Sequence, residues 1–198
     1  QYVVLGAGLD TFAYRNPFPE LRVFEADLPA SQKAKRRMLA RAGIKVPETL
    51  SYATLNLEHH SLGQDLILAG LNLNAPVFFG WMGVVPYLTL EAFRATLKAI
   101  SALPAGSGVG FDYAVAPETL NAVGRVAFDR LAERVAAAGE PFQLFFTLET
   151  MTAELRASGF QRIEQLDFEA LNARYFRDRA DGLKLSPIRL GMLATAWV

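Results

Sequence analysis

The stretch Leu5-Gly6-Ala7-Gly8-Leu9-Asp10-Thr11 follows a short apolar run, residues 2–4, near the start of the chain. A short, β-branched run of this kind predicts a strand that is buried on both faces of a parallel sheet. Gly6 and Gly8 then predict a tight turn from this strand into a helix, where backbone N–H groups and the positive helix end face a ligand. The stretch therefore predicts a doubly wound α/β sheet with a binding site where its first strand ends.

Strands and helices alternate through the rest of the chain. The patterns predict six further strands, at residues 21–26, 52–57, 76–81, 109–112, 160–166 and 190–198, and helices at residues 30–42, 62–71, 90–100, 117–138 and 152–158. This alternation indicates a mostly parallel sheet with helices on both faces, in one domain over residues 1–198. The total of seven strands is one more than the six of a dinucleotide-binding fold.

The composition excludes several classes of function. Twenty basic residues balance twenty acidic ones, so neither nucleic acid nor a membrane surface is a predicted partner. The absence of cysteine excludes thiol catalysis and cysteine-ligated zinc, and no metal site is predicted. No apolar run is long enough to span a bilayer and no signal peptide opens the chain, so we expect a cytoplasmic protein.

Asp27 is the predicted partner of the glycine loop. It lies 19 residues after Gly8, at the end of the second predicted strand, where an acidic side chain reaches the ribose hydroxyls of a bound nucleoside. Thr11 stands where a dinucleotide fingerprint has its third glycine, which argues against a pyrophosphate. S-adenosyl-L-methionine has a ribose and an adenine but no phosphate. A turn that needs glycine only for its backbone is the alternative.

Several motifs together resemble the leucine carboxyl methyltransferase family, in particular its large bacterial branch of S-adenosylmethionine-dependent methyltransferases. The motifs lie at residues 5–15, 24–29, 81–89, 111–113, 138–142 and 171–176, so the resemblance covers nearly the whole chain. The combination of the glycine loop with Glu25-Ala26-Asp27-Leu28-Pro29 is more specific than either part. The resemblance implies a class I, Rossmann-like methyltransferase fold and S-adenosyl-L-methionine as the cofactor.

The resemblance also implies roles for individual residues. Gly6 faces the methionine part of the cofactor, and Asp27 holds its ribose. An Asp-Leu pair that meets the adenine falls here on Asn56 and Leu57, and the replacement of Asp by Asn removes a charge-assisted hydrogen bond. The remaining predicted cofactor-binding residues lie in the two glycine loops: Ala7, Gly8, Asp10 and Gly83.

Two further features separate this chain from its relatives. Met82 stands where eukaryotic members that methylate a protein C-terminus carry Glu, which argues against that substrate. The chain begins with Gln1 inside a predicted strand, so we expect an N-terminal helical region to be missing. In relatives, this region covers the site and supplies an Arg to the cofactor carboxylate.

No residue is assigned a catalytic role from sequence. Methyl transfer depends mainly on positioning and on the exclusion of water, although a hydroxyl acceptor usually needs a base. The candidates are Asp112 and Tyr113 at the end of the fifth strand, Tyr87, and the adjacent His59 and His60. Their respective alternatives are capping of the next turn, core packing and a solvated loop. Two other segments are also open to two interpretations. Residues 33–37 are a solvated basic helix face or a partner site, and residues 142–146 are aromatic core or the wall of an acceptor pocket.

The predicted function is the O-methylation of a hydroxyl or carboxyl group on a small molecule. A degenerate methyltransferase fold that acts as a non-catalytic binding module is one alternative, supported by Asn56 and by the lack of an evident base. A nicotinamide-dependent oxidoreductase is the other, although Thr11 and the absence of a hydride-transfer set argue against it. The acceptor and the oligomeric state do not follow from the sequence.

Overall fold

The computed structural model of this chain describes residues 1–59, 62–188 and 190–198, and these residues form a single eight-stranded sheet with helices packed against it. The strands are β1 (Tyr2–Leu5), β2 (Val23–Asp27), β3 (Leu50–Thr54), β4 (Phe78–Trp81), β5 (Gly108–Val115), β6 (Phe145–Phe146), β7 (Arg162–Leu166) and β8 (Gly191–Trp197). The helices are α1 (Pro29–Arg41), α2 (Leu62–Leu68), α3 (Leu90–Ser101), α4 (Ala122–Ala137), α5 (Leu148–Ala157) and α6 (Phe168–Tyr175).

The sheet has the order β3-β2-β1-β4-β5-β8-β7. Its first five strands are parallel, and β8 runs antiparallel between β5 and β7. The predicted doubly wound, mostly parallel α/β sheet is confirmed. The described residues hold one strand more than predicted, because Phe145 and Phe146 pair with the end of β5.

Side-chain caps move several element ends away from their predicted positions. The predicted helix at residues 117–138 is a 3₁₀ turn, Pro117–Thr119, followed by α4, because Asn121 accepts a hydrogen bond from Gly124 N at 2.8 Å and starts a new helix. Thr147 starts α5 earlier than predicted, through a reciprocal capping box with Thr150. Asp167 caps α6, which was not predicted. The prediction that Thr89 caps α3 is confirmed.

The glycine loop does not continue into an α-helix, and that part of the prediction is wrong. A four-residue 3₁₀ turn, Phe12–Arg15, follows the loop, and the next α-helix begins only after β2, at Pro29. The third strand also ends earlier than predicted, at Thr54, which leaves Asn56 and Leu57 in the following loop. Because no α-helix begins at the first loop, no helix dipole points from this loop toward a ligand.

Two apolar clusters cover the two faces of the sheet. The larger one joins the sheet to α2, α3 and α5, for example through Phe93 and Met151. On the opposite face, Lys35 of α1 is buried and lies 2.6 Å from Glu25 of β2. The interpretation of residues 33–37 as a wholly solvated face is therefore wrong for Lys35, because this side chain compensates a buried carboxylate. None of the helices in the described part of the chain could cross a membrane.

Candidate functional site

A cavity of about 480 Å³ lies at the carboxyl ends of β1, β2, β3 and β4. Five of the predicted cofactor-binding residues line it: Gly6, Asp27, Asn56, Leu57 and Gly83. They come from four separate strand ends, which meet at one edge because neighbouring parallel strands point the same way. The structure therefore brings these five residues together in a space large enough for a nucleoside-sized ligand.

The other three predicted cofactor-binding residues do not line this cavity. Ala7 is buried in the apolar cluster on the second face of the sheet. Gly8 does not line the cavity, and its N–H donates a hydrogen bond to Asp27 Oδ2. Asp10 is exposed, and its Oδ1 accepts a hydrogen bond from Phe12 N at 2.7 Å. These residues shape the loop, and their direct contact with a cofactor stays a prediction.

The backbone N–H groups of Gly6, Ala7 and Gly8 in the glycine loop donate hydrogen bonds to other groups of the protein. Gly6 N and Ala7 N both donate to Ala26 O, at 2.8 and 3.2 Å, and Gly8 N donates to Asp27 Oδ2 at 2.6 Å. The prediction that these groups face a ligand is therefore wrong for all three residues. A pyrophosphate needs such donors, so the loop lacks an anion cradle for a stronger reason than the missing third glycine.

Gly6 allows the two glycine loops to approach each other closely. Its φ of +63° lies in the left-handed region, and a Cβ placed on it would collide with Cγ2 of Val84. Val84 belongs to the loop that follows β4 and lines the same cavity. Any larger residue at position 6 would have to push that loop away from the end of β1.

Asp27 ties the glycine loop to the end of β2. Its Oδ2 accepts from Gly8 N, and its Oδ1 accepts from Leu28 N, both at 2.6 Å. Each carboxylate oxygen can accept a second hydrogen bond, so this half-buried group is oriented by the backbone and can still bind two hydroxyls. This arrangement is compatible with a vicinal diol such as ribose, and the contact of Asp27 with ribose stays a prediction.

The loop after β3 contains a residue that the sequence did not single out. Glu58 lines the cavity, and its two carboxylate oxygens accept from Thr89 N and Thr89 Oγ1, at 2.9 and 2.8 Å. Asn56 Oδ1 accepts from Glu58 N at 3.0 Å, which closes a small turn. This chain of bonds anchors the third strand end to the start of α3.

Replacing Glu58 with alanine is expected to lower the free energy of unfolding by about 1 kcal/mol. Thr89 loses its two charge-assisted hydrogen bonds to the Glu58 carboxylate, but it is exposed, so water can replace them. Urea denaturation measures the change. Glu118, an exposed residue whose side chain makes no hydrogen bond among the described residues, gives a control with an expected change below about 0.3 kcal/mol. Equal changes in the two variants would show that the Glu58 bonds contribute nothing.

The loop after α4 closes the cavity from the far side. Its lining residues are Gly139, Glu140, Pro141 and Gln143. Gln143 Nε2 donates to Tyr87 O, and Gln143 N donates to Pro86 O, both at 2.8 Å, so this loop is held against the loop after β4. In the sequence, the family motif at residues 138–142 and the aromatic cluster at residues 142–146 pointed to this segment.

The lining of the cavity is acidic. Three carboxylate side chains contribute to it, those of Asp27, Glu58 and Glu140, and none of the described residues that line it is basic. Such a lining favours a cationic ligand and disfavours one with several negative charges.

The candidate bases differ in burial and in their distance from the loop after β4. Tyr113 is buried, its hydroxyl donates to Gln165, and burial raises its pKa, so it serves as core. Burial also raises the pKa of Tyr87, and the carboxylates of Glu140 and Asp112 raise it further. Both hydroxyls therefore stay protonated at neutral pH. Asp112 is the candidate base that remains beside the loop after β4.

The remaining candidates lie away from this loop or form core. His59 is exposed and does not line the cavity, and His60 lies outside the described residues. Within residues 142–146, Phe146 packs as core against Phe93, whereas Phe142 lines a smaller cavity of about 220 Å³ beside Asp112. Among the residues that the structure describes, no group of three or more acidic or histidine side chains could hold a metal ion.

Comparison with known families and proteins finds matches over this whole region. The family model for leucine carboxyl methyltransferase matches residues 1–101. YktD of Bacillus subtilis (strain 168), provisionally named an S-adenosyl-L-methionine-dependent methyltransferase, is 35% identical over 191 residues, which cover 92% of this chain and 61% of YktD. A similarly named protein of Mycolicibacterium paratuberculosis is 33% identical over 138 residues, 69% of this chain and 43% of the relative. The chain thus spans less than two thirds of these relatives.

Solved structures share the fold at low sequence identity. A provisionally named methyltransferase from Thermobifida fusca matches with a TM-score of 0.67 and 20% identity, over 100% of this chain and 72% of its own. Human N-acetylserotonin methyltransferase in complex with SAM matches with a TM-score of 0.58 and 12% identity, over 99% of this chain and 46% of its own. These likenesses concern the fold alone.

Proposed function

This chain belongs to the leucine carboxyl methyltransferase family, and on that basis we propose that it is an S-adenosylmethionine-dependent methyltransferase that methylates a hydroxyl or carboxyl oxygen of a small molecule. The relatives' names support the cofactor. Met82, in place of the Glu of members that methylate a protein C-terminus, supports a small acceptor.

The acidic lining of the 480 Å³ cavity is the observation that carries this proposal. S-adenosylmethionine carries a positive sulfonium and an ammonium group beside one carboxylate, so its net charge is positive, whereas a nicotinamide dinucleotide carries a negative pyrophosphate. Asp27, Glu58 and Glu140 attract the former and repel the latter. The N–H groups of the first loop that could bind a phosphate already have backbone or carboxylate partners.

The residues of the cavity fit the parts of this cofactor. Asp27 would bind the ribose hydroxyls, since it is oriented by two backbone N–H groups. Gly6 leaves room at the end of β1 for the methionine part, and Asn56 with Leu57 would contact the adenine. The bound cofactor supplies an electrophilic methyl group on sulfur. The chain positions the acceptor beside it and excludes water.

Isothermal titration calorimetry tests the proposal directly. S-adenosylmethionine is expected to bind with a dissociation constant below 1 mM, and NADH at least about tenfold more weakly because of its charge. No S-adenosylmethionine binding at millimolar concentration, or tighter binding of NADH, would overturn the proposed cofactor. A screen of metabolites with a radiolabelled methyl donor then tests activity, and cofactor binding without any labelled product would favour a non-catalytic binding module.

A further inference from the structure

A second cavity, of about 490 Å³, adjoins the loop after β4 and shares no lining residue with the acidic cavity. Its walls come from this loop, from α6 and the segment after it, and from the start of β8. They are mainly apolar and include Met82, Leu171, Tyr175, Leu185 and Leu193. None of the residues assigned above to the cofactor lines it.

Gly83 connects this second cavity to the acidic one. It lines the acidic cavity, and its N–H donates to Oδ1 of Asp112, at 2.6 Å, which lines the second cavity. A ligand bound against Asp112 therefore lies one residue away from the proposed cofactor. Two reactants in a methyl transfer need such a juxtaposition.

Asp112 is the only charged side chain among the described residues that line the second cavity. Its Oδ1 is held by Gly83, and no described residue donates a hydrogen bond to its Oδ2. A half-buried carboxylate oxygen in an apolar surrounding is a strong acceptor for a ligand hydroxyl.

Large apolar side chains are exposed around the mouth of this cavity. The exposed fractions are 54% for Met82, 57% for Tyr175 and 37% for Leu185, in three segments that are far apart in the chain. A group of exposed apolar residues around a concave surface is typical of a binding site for an apolar ligand.

We propose that the second cavity binds the methyl acceptor, and that the acceptor is an apolar molecule with a hydroxyl group, such as a phenol, whose O–H donates to Asp112 Oδ2. A carboxylate acceptor would meet the like charge of Asp112 without a basic partner in the described lining. An amine acceptor would be held in its protonated form by Asp112, and its lone pair would then be occupied. This inference rests on the proposed methyl transfer and narrows its acceptor.

Asp112 also accounts for the proton in this reaction. The hydroxyl oxygen forms a bond to the methyl carbon of the donor, S-adenosylmethionine, while the carbon–sulfur bond breaks and its electron pair stays on sulfur. The hydroxyl proton passes to Asp112 Oδ2 and then to water. A hydroxyl acceptor usually needs a base, and Asp112 is the one described candidate base that lines the second cavity.

Equilibrium dialysis without cofactor tests the site, with 2-naphthol, naphthalene and 2-naphthoate as probes. We expect 2-naphthol to bind at least about tenfold more tightly than 2-naphthoate. Asp112→Asn is expected to weaken 2-naphthol binding about fivefold or more and naphthalene binding less than twofold, because only the hydroxyl uses the carboxylate. Tyr175→Ala is expected to weaken the binding of both probes similarly, through lost apolar contact.

Phe18→Ala removes an aromatic side chain of similar exposure, 59%, that does not line the cavity, and is expected to leave both affinities unchanged. The proposal is overturned if 2-naphthol does not bind, if Asp112→Asn and Tyr175→Ala have no effect on its binding, or if 2-naphthoate binds more tightly than 2-naphthol. These outcomes do not depend on the cofactor, since the probes are measured without it. Failure of S-adenosylmethionine to bind in the calorimetric experiment would instead overturn the proposed function.

Discussion

Replacing Asp27 with alanine is expected to weaken S-adenosylmethionine binding by about 100-fold. The carboxylate offers two oriented acceptors to the ribose, and each charge-assisted hydrogen bond contributes about 1.5 kcal/mol, so their joint loss corresponds to roughly two orders of magnitude. The variant also frees Gly8 N and Leu28 N, which the carboxylate now holds, and so loosens the edge of the cavity. Asp27→Asn keeps one acceptor oxygen and is expected to weaken binding about tenfold.

Asp10→Ala tests whether the sequence pattern or the lining of the cavity identifies the cofactor-binding residues correctly. Asp10 was predicted to contact the cofactor, but it is exposed and does not line the cavity. Its removal is therefore expected to change affinity less than about threefold. Calorimetric titration of each folded variant measures the effect. An equal loss of affinity in Asp10→Ala and Asp27→Ala would contradict the assignment of the ribose to Asp27.

Replacing Gly6 with alanine is expected to lower the free energy of unfolding by about 3 kcal/mol. A left-handed backbone costs an alanine roughly 1 to 2 kcal/mol, and the collision of its Cβ with Val84 adds a similar amount. Because the loop after β4 must move to relieve the collision, S-adenosylmethionine affinity is expected to fall as well. Urea denaturation and calorimetry measure the two effects.

Gly43 provides a matched control for the backbone part of this cost. Its φ of +66° is close to that of Gly6, but a Cβ on it meets no atom within 4 Å. Gly43→Ala is therefore expected to cost only about 1 kcal/mol. Adding Val84→Ala to Gly6→Ala should recover part of the stability, since the colliding methyl group is gone. Equal losses in Gly6→Ala and Gly43→Ala would show that the close approach of the two loops is unimportant.

The sheet and half of the cavity were predictable because they depend on local patterns. Short apolar runs that alternate with amphipathic helices predict parallel strands, and the ends of neighbouring parallel strands meet at one edge. Gly6, Asp27 and Gly83 follow such ends, so their proximity was predictable without any contact between them being known. Asn56 and Leu57 reach the same edge although β3 ends three residues earlier than predicted.

The contacts that complete both cavities were not predictable in this way. Glu58 reaches Thr89 across 31 residues, and Asp112 reaches Gly83 across 29 residues. The bond from Gln143 to Tyr87, across 56 residues, likewise has no local signature. Hydrogen bonds of this kind follow from the packing of whole elements, and any exposed polar residue in a loop could have made them.

By itself, the sequence determined most of the order of strands and helices and the acidic residue that closes the second strand, because these depend on patterns within single segments. The family resemblance came instead from motifs spread over nearly the whole chain. Only the tertiary structure decided how the glycine loop is used. Its N–H groups bind Ala26 and Asp27 instead of facing a ligand, and no α-helix follows it. The physical reason is that backbone donors must find partners when a loop packs, and the end of the neighbouring strand β2 offers acceptors within hydrogen-bond distance.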